Sequence, residues 1–270
     1  MVSFLIYIIC YDAWYMAIII KTPDQIEILR ETGKIHAEIL NKLEKFIKPG
    51  LSAMELNNEA DRLVRAAGAE PAFLGYQPDG TYPKYPASLC VSINEVIVHG
   101  IPTDEIIIQS GDLVSIDLGV KYKNMFTDSA RTVIVGDVSV EKKQLVYDVY
   151  EALARGIDAA RVGNTVGDIG HAIESFNNKK YGNVRELSGH GVGVKIHEDP
   201  YVPNYGKPGR GAKLRAGMVI AIEPMFNLGT SDVDFWDDMY TVTTRDGAHS
   251  AHVEHTILIT EDGPEILTEL

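Results

Sequence analysis

Apolar positions set the outline of the chain. Ile26, Leu29, Leu40, Leu43 and Ile47 recur at helical spacing behind Thr22-Pro23-Asp24-Gln25. There Thr22 can cap, Pro23 suits a first turn, and Gln25 completes a capping box. Pro49-Gly50 stops this helix, and Ser52-Ala53-Met54-Glu55 opens another that carries Leu56, Ala60, Leu63 and Val64 up to Gly68. Residues 69–87 are rich in Pro, Gly and Tyr and read as a loop. From 88 to 135 the pattern turns strand-like, in SLCVSINEVIVHGI, DLVSIDLGV and FTDSARTVIV.

The same order then returns. Residues 140–160 read as a helix, Gly163-Asn164-Thr165 as a turn, and 166–180 as a second helix. The strand-like runs VRELSGHGVGV, MVIAIEPMF, MYTVTT and HVEHTILIT follow. Even the helix junctions match, Lys48-Pro49-Gly50-Leu51-Ser52 against Arg161-Val162-Gly163-Asn164-Thr165. Helix, helix, sheet, twice over, predicts a duplicated α+β unit, with an unduplicated α+β domain as the alternative. No low-complexity linker divides the halves, so residues 16–270 are expected to form a single domain with its sheets joined.

The start of the chain breaks this pattern. MVSFLIYIICYDAWYMAIII is almost continuously apolar, but it lacks a basic leading region and a small-residue cleavage site, and Asp12 sits in its middle. Met16 stands just before the regular pattern begins. Residues 1–15 therefore read as an upstream extension or a misassigned start, in preference to an anchor, and no membrane partner is expected.

Composition narrows the function. The 270 residues are 45% hydrophobic and 23% charged, which is ordinary for a globular chain. The net charge of −13 argues against nucleic acid as a partner, because phosphate backbones need a cationic face. Two cysteines, Cys10 and Cys90, supply neither a disulfide framework nor a thiolate zinc module, and they suit the reducing cytoplasm.

The informative anomaly is charge inside apolar strands. Asp117 lies within VSIDLGV and Asp128 within FTDSAR; a turn centred between Tyr122 and Lys123 would set them directly opposite on one side of a ladder. Like charges placed so need a shared proton, an arginine or a divalent cation. Glu223 in MVIAIEPMF and Glu254 in AHVEHTILIT repeat the anomaly. His190 lies among glycines in SGHGVGVKIHEDP, which lets backbone crowd close to it, and His197 follows seven residues later. His99 stands at a strand end in VHGIP. The remaining histidines, His36, His171, His249, His252 and His255, read as structural. Four carboxylates and one imidazole, Asp117, Asp128, Glu223, Glu254 and His190, match two divalent cations in charge. Bridging carboxylates hold such pairs about 3.5–4 Å apart for hydrolysis. Manganese, iron, cobalt and zinc all suit the donor set.

The strings NEVIVHGIP, SIDLGV…FTDSAR, SGHGVGVKIHEDP, IAIEPMF and HVEHTILIT, in this order over residues 20–265, resemble the type I methionine aminopeptidases. The resemblance implies the pita-bread fold, a pseudo-twofold α+β domain with a curved antiparallel sheet. It implies a dinuclear site that removes the initiator methionine from nascent proteins, with small second residues preferred. Asp117, Asp128, His190, Glu223 and Glu254 then match the metal ligands, with Asp128 and Glu254 bridging and Glu223 also shuttling protons. His99 matches the histidine beside the substrate amine and scissile amide, and His197 the one that hydrogen-bonds the scissile carbonyl. Tyr82, Tyr85 and Cys90 fall near the methionine pocket, although Tyr82 can equally be a surface loop residue. Tyr240 stands where many type I members carry tryptophan. The implied partners are nascent N-termini at the ribosome, and the implied unit is a cytoplasmic monomer.

Two rivals share the fold. Xaa-Pro dipeptidases and aminopeptidase P carry a large additional N-terminal domain, and proliferation-associated relatives have lost metal ligands. The short run before the first helix argues against the first, and the intact ligand positions argue against the second.

Overall fold

The computed structural model describes residues 17–270; the expectation about residues 1–15 falls outside them. No helix among the described residues is long and apolar enough to cross a membrane. Four helices carry the scaffold: α1 (Pro23–Phe46), α2 (Ala53–Ala66), α3 (Val140–Ala159) and α4 (Val166–Asn177). Each starts behind a hydroxyl residue: Thr22, Ser52, Ser139 and Thr165. In the first two the capping boxes close in both directions, for example Ser52 N to Glu55 Oε2 at 2.8 Å and Glu55 N to Ser52 Oγ at 3.1 Å. Removing such a cap costs about 1 kcal/mol.

The duplication is visible in hydrogen bonds. Between α1 and α2, Gly50 N donates to Ile108 O and Ala53 N to Ile106 O, each at 2.8 Å. Between α3 and α4, Gly163 N donates to Leu214 O at 3.2 Å and Val166 N to Ala212 O at 3.0 Å. Gly50 and Gly163 hold the same left-handed backbone, with φ of +88° and +92°, which a side chain would strain. Each helix pair buries its apolar face against its own half. Leu40, Leu43, Leu56 and Val64 pack on Val114, Ile116 and Leu118; Leu145, Val149, Leu153 and Ile169 pack on Ile220, Ile222, Ile257 and Ile259.

Among the described residues, antiparallel ladders form four sheets. The long hairpin Leu113–Tyr122 with Met125–Ile134 dominates the first half, flanked by Cys90–Ile93. In the second half the order is Gly263–Ile266, His255–Thr260, Val219–Ile222, Ser188–Gly191, Glu198–Pro203. Two three-stranded sheets, one holding Val96–Val98 with Val242–Thr244 and the other Met225–Asn227 with Ser250–His252, complete the surface. The halves meet where Ala130 N donates to Glu254 O at 3.3 Å and Glu254 N to Ala130 O at 2.9 Å.

Several strands differ from the expected runs. MVIAIEPMF is two strands that part at Glu223-Pro224, where proline removes a ladder donor. AHVEHTILIT likewise parts at Val253-Glu254. Only Ser188–Gly191 of VRELSGHGVGV pairs, and Glu198–Pro203 forms a strand that its charges and prolines concealed. The helix expected to reach 180 ends at Asn177, with Asn178 in the left-handed conformation at φ +44°.

Candidate metal centre

The long hairpin supplies the first two carboxylates. Its turn is Lys123-Asn124, with φ of +48° and +63°, and Tyr122 pairs with Met125. The ladder is therefore shifted from the expected one. Asp128 lies opposite Gly119, and Asp117 opposite Ala130 on one side and Cys90 on the other. Asp117 and Asp128 are diagonal neighbours and not direct partners. The slip is two residues, so both still project from the same side of the sheet. A type I′ turn favours left-handed residues, and Asn124 accepts that conformation more readily than Tyr122.

Glu223 and Glu254 come from the two strand breaks of the second half. Hydroxyl side chains pin the second break to the hairpin. Ser129 Oγ donates to Glu254 O at 2.7 Å, and Thr256 Oγ1 both donates to Asp128 O at 2.7 Å and accepts from Asp128 N at 2.9 Å. His190 enters from Ser188–Gly191, where backbone crowding is real: a Cβ on Gly189 would lie 2.3 Å from Ala221 O, and one on Gly191 2.2 Å from Asp199 O. Its Nδ1 donates to Gly191 O at 2.9 Å, which leaves the Nε2 lone pair facing Glu223 Oε1 at 3.6 Å and Asp128 Oδ2 at 3.8 Å.

Five side chains from two halves thus share one centre. Donor atoms of Asp117, Asp128 and Glu254 all lie within 4.8 Å of one another, as do those of His190, Glu223 and Glu254. All four carboxyls are driven towards the protonated form. Burial lifts Asp117 to about 7, with Glu223 adding to it and His252 opposing. Burial also lifts Glu223 to about 7 against the pull of His190. Asp128 and Glu254 are raised well above the carboxylate range, by burial first and then by Asp117 and Asp128 respectively. One oxygen each of Asp117, Asp128 and Glu254 is buried with no hydrogen-bond donor. A divalent cation satisfies such oxygens, and the donor set of carboxylates plus a neutral imidazole nitrogen fits one. Asp128, His190 and His197 form a further group of the same tightness.

The other two candidate histidines border this floor. The His197 ring stands 4.5 Å from His190 between centroids, and its Nδ1 lies 2.7 Å from the Tyr76 hydroxyl. Surrounding protein, then His190 and His99, holds its pKa well below the ordinary value, although one edge faces solvent. His99 ends the strand Val96–Val98 at φ +59°, an uncommon conformation for a bulky residue. Burial, followed by His252, lowers it to about 4.

Beside the floor lies an aromatic cluster, the candidate methionine slot. Tyr85, Cys90 and Tyr240 are buried together with Phe73, Ala87 and Ile196, and Tyr82 is half-buried against them. Ring centroids are 5.1 Å apart for Tyr85–Tyr240 and 6.0 Å for Tyr82–Tyr240. Tyr240 Oη donates to Pro83 O at 2.6 Å and Tyr85 Oη to Gly100 O at 3.0 Å. Cys90, the ladder partner of Asp117, belongs to both regions.

Comparison with known proteins assigns this arrangement. Residues 27–261 match the model of metallopeptidase family M24. The methionine aminopeptidase of Clostridium acetobutylicum is 44% identical over 93% of this chain and 98% of its own length. Methionine aminopeptidase 1 of Bacillus subtilis is 44% identical over 94% of this chain and all of its own. The crystal structure of methionine aminopeptidase from Thermotoga maritima superposes with a TM-score of 0.90 at 41% identity, over 94% of this chain and all of that one. The chain belongs to the methionine aminopeptidases of metallopeptidase family M24. An Xaa-Pro dipeptidase from Bacillus anthracis also shares the fold, with a TM-score of 0.74 at 25% identity, but this chain covers only 62% of it.

As a methionine aminopeptidase the chain also holds site-bordering residues that the sequence reading passed over. His252, read as structural, is 1% exposed, and its Nε2 lies 3.5 Å from Glu223 Oε2. Neither of its ring nitrogens has a hydrogen-bond partner. Its place two positions before Glu254 in an apolar strand was the available signal. Tyr76, which orients His197, sits in the aromatic loop 69–87 and has no spacing relation to that histidine. His36 and His255, by contrast, meet Thr127 Oγ1 and Thr268 Oγ1, each at 2.9 Å, away from the centre.

Proposed function

We propose that the chain hydrolyses the first peptide bond of nascent proteins and peptides that begin with methionine, releasing the free amino acid and preferring small second residues. What supports this reading is a set of buried, donor-less carboxylate oxygens converging beside an aromatic slot. Asp117, Asp128, His190, Glu223 and Glu254 would hold two divalent cations. When bound, the cations supply Lewis acidity, acidifying water and neutralising anionic charge. Iron, manganese, cobalt and zinc all suit these donors.

The chain's own residues do the rest. Tyr82, Tyr85, Cys90 and Tyr240 take the methionine side chain, whose thioether makes favourable contacts with aromatic edges. Glu223 accepts a proton from the attacking water and returns it to the leaving amide nitrogen. With the Tyr76 hydroxyl, 2.7 Å from His197 Nδ1, as the donor, Nε2 would carry the proton and donate to the oxyanion of the tetrahedral intermediate. His99 orients the substrate amine and the scissile amide. The reaction belongs to the cytoplasm, on chains leaving the ribosome, with the monomer as its working unit.

The experiment is an assay of Met-Ala-Ser against an Ala-Pro peptide before chelation, after chelation and after metal is restored. Methionine release that disappears with chelator and returns with a divalent ion is the expected result. Cleavage of the Ala-Pro peptide instead, or chelator-resistant turnover, overturns the reading.

A further inference from the structure

Among the described residues, the most deeply buried lysine–carboxylate pair lies next to a candidate catalytic histidine. Lys21 Nζ donates to Glu198 Oε2 at 2.6 Å, and the two side chains are 1% and 2% exposed. Among the described residues, every other Lys or Arg ion pair has at least one partner well exposed or both. Exposed pairs contribute little and need no explanation. A buried pair is different, because both charges must be taken out of water, and an apolar pair of similar volume commonly does as well for stability.

Glu198 divides its two oxygens. Oε2 holds the ammonium, while Oε1 accepts from Val194 N at 2.5 Å and Lys195 N at 2.9 Å. The carboxylate therefore closes the loop that begins at Gly193 and delivers His197. The lysine is fixed just as firmly. Its backbone N donates to Gly217 O at 2.8 Å, its Nζ also reaches Ile19 O at 3.2 Å, and the next residue is Thr22, the cap of α1. Its stem passes over Gly193, where an added Cβ would lie 2.5 Å from Lys21 Cε. A continuous path of contacts thus runs from the α1 cap through Lys21 and Glu198 into the loop carrying His197.

We infer that Lys21 and Glu198 are positioning residues for His197: the buried pair locks the 193–198 loop so that the imidazole stands between His190 and Tyr76. The inference rests on the proposed role of His197 and adds to it a second requirement, that the segment ahead of α1 is part of the catalytic apparatus. Neither residue touches substrate. Their effect is expected in turnover and not in substrate binding.

The test is a double-mutant cycle on metal-loaded enzyme, with Met-Ala-Ser as substrate. Lys21→Met alone strands a buried carboxylate, so the informative variant is Lys21→Met/Glu198→Gln. It removes both charges and keeps an amide oxygen for Val194 and Lys195. We expect kcat to fall about 10- to 100-fold with KM changed less than about twofold, as for a catalytic group displaced by about an ångström. In a His197→Ala background the same double change should lower kcat by less than about twofold, because the group it positions is gone. A folded Lys21→Met/Glu198→Gln enzyme with wild-type kcat overturns the inference. So does an equal loss with and without His197, or a double variant that does not fold, since either assigns the pair to general stability. Absence of methionine release by the wild-type enzyme would instead strike the functional reading.

Discussion

The carboxylate floor and the aromatic slot share a wall at Cys90 and obey opposite physics. In the slot every buried hydroxyl named above has an acceptor, and the rings pack edge to face. It is an ordinary piece of core. On the floor, four carboxyls crowd together, three with an oxygen that meets no donor, and burial pushes each towards the neutral form. The slot stabilises the fold as it stands; the floor is at odds with it until a cation arrives. Graded change is therefore expected to be tolerated in the first and hardly at all in the second.

That contrast is broken most sharply at Glu223. Glu223→Gln should lower kcat by about 10²–10⁴-fold, the range for loss of a general acid–base group, as measured with Met-Ala-Ser. Above pH 7, where Glu223 is ionised, the same change removes one repelling charge, so the metal-free variant should melt above metal-free wild type in a thermal scan at that pH. A variant with near-normal turnover would remove Glu223 from the mechanism.

Metal removal separates the regions by pH. Asp117 and Glu223 have folded-state pKa values raised to about 7, so the metal-free fold binds more protons than the unfolded chain between the ordinary carboxylate range and 7. The stability these two carboxyls contribute to the metal-free protein should therefore be lost as pH rises through this window, and the melting temperature gained on metal loading should grow. Over most of the same window the histidines contribute with the opposite sign, in metal-free and metal-loaded protein alike. His36, His99 and His255 are lowered to about 3, 4 and 4, so the unfolded chain binds the extra protons and stability falls as pH drops below about 6.5. The difference between melting curves of chelated and loaded protein from pH 4 to 8 isolates the contribution of the floor. A loading increment independent of pH would contradict the picture of a protonated floor.

The slot should respond more gently. Tyr240→Ala removes an edge-to-face ring and the hydrogen bond to Pro83, and should raise KM for methionyl peptides with a smaller change in kcat. The smallest effect is expected from the substrate side. Norleucine in place of methionine forfeits only the sulfur–aromatic contact, about 0.3–1.5 kcal/mol, so kcat/KM should fall by no more than about tenfold. A larger penalty would mean that sulfur meets something other than rings.

Much of this was legible before any coordinates. Capping residues and apolar spacing marked α1 and α2 closely, because such signals are local. The matched helix junctions announced the duplication, and carboxylates in apolar strands announced the floor, because a buried charge is costly in any fold. The hairpin register was not legible: side-chain alternation sets the side of the sheet but leaves slips of two residues open, and the turn residues Lys123-Asn124 decided it. Strand breaks at Glu223 and Glu254 were also hidden, since apolar flanks continue on both sides.

The amino-acid order by itself therefore determined the helices, the repeated unit, the side on which Asp117 and Asp128 project and the kind of chemistry that five anomalous residues can perform. Only the tertiary structure decided which of several histidines approach the floor, that Tyr76 faces His197, and that Lys21 closes on Glu198 across 177 positions of chain. Local preference reaches a few residues along the backbone, whereas these contacts depend on how whole sheets pack.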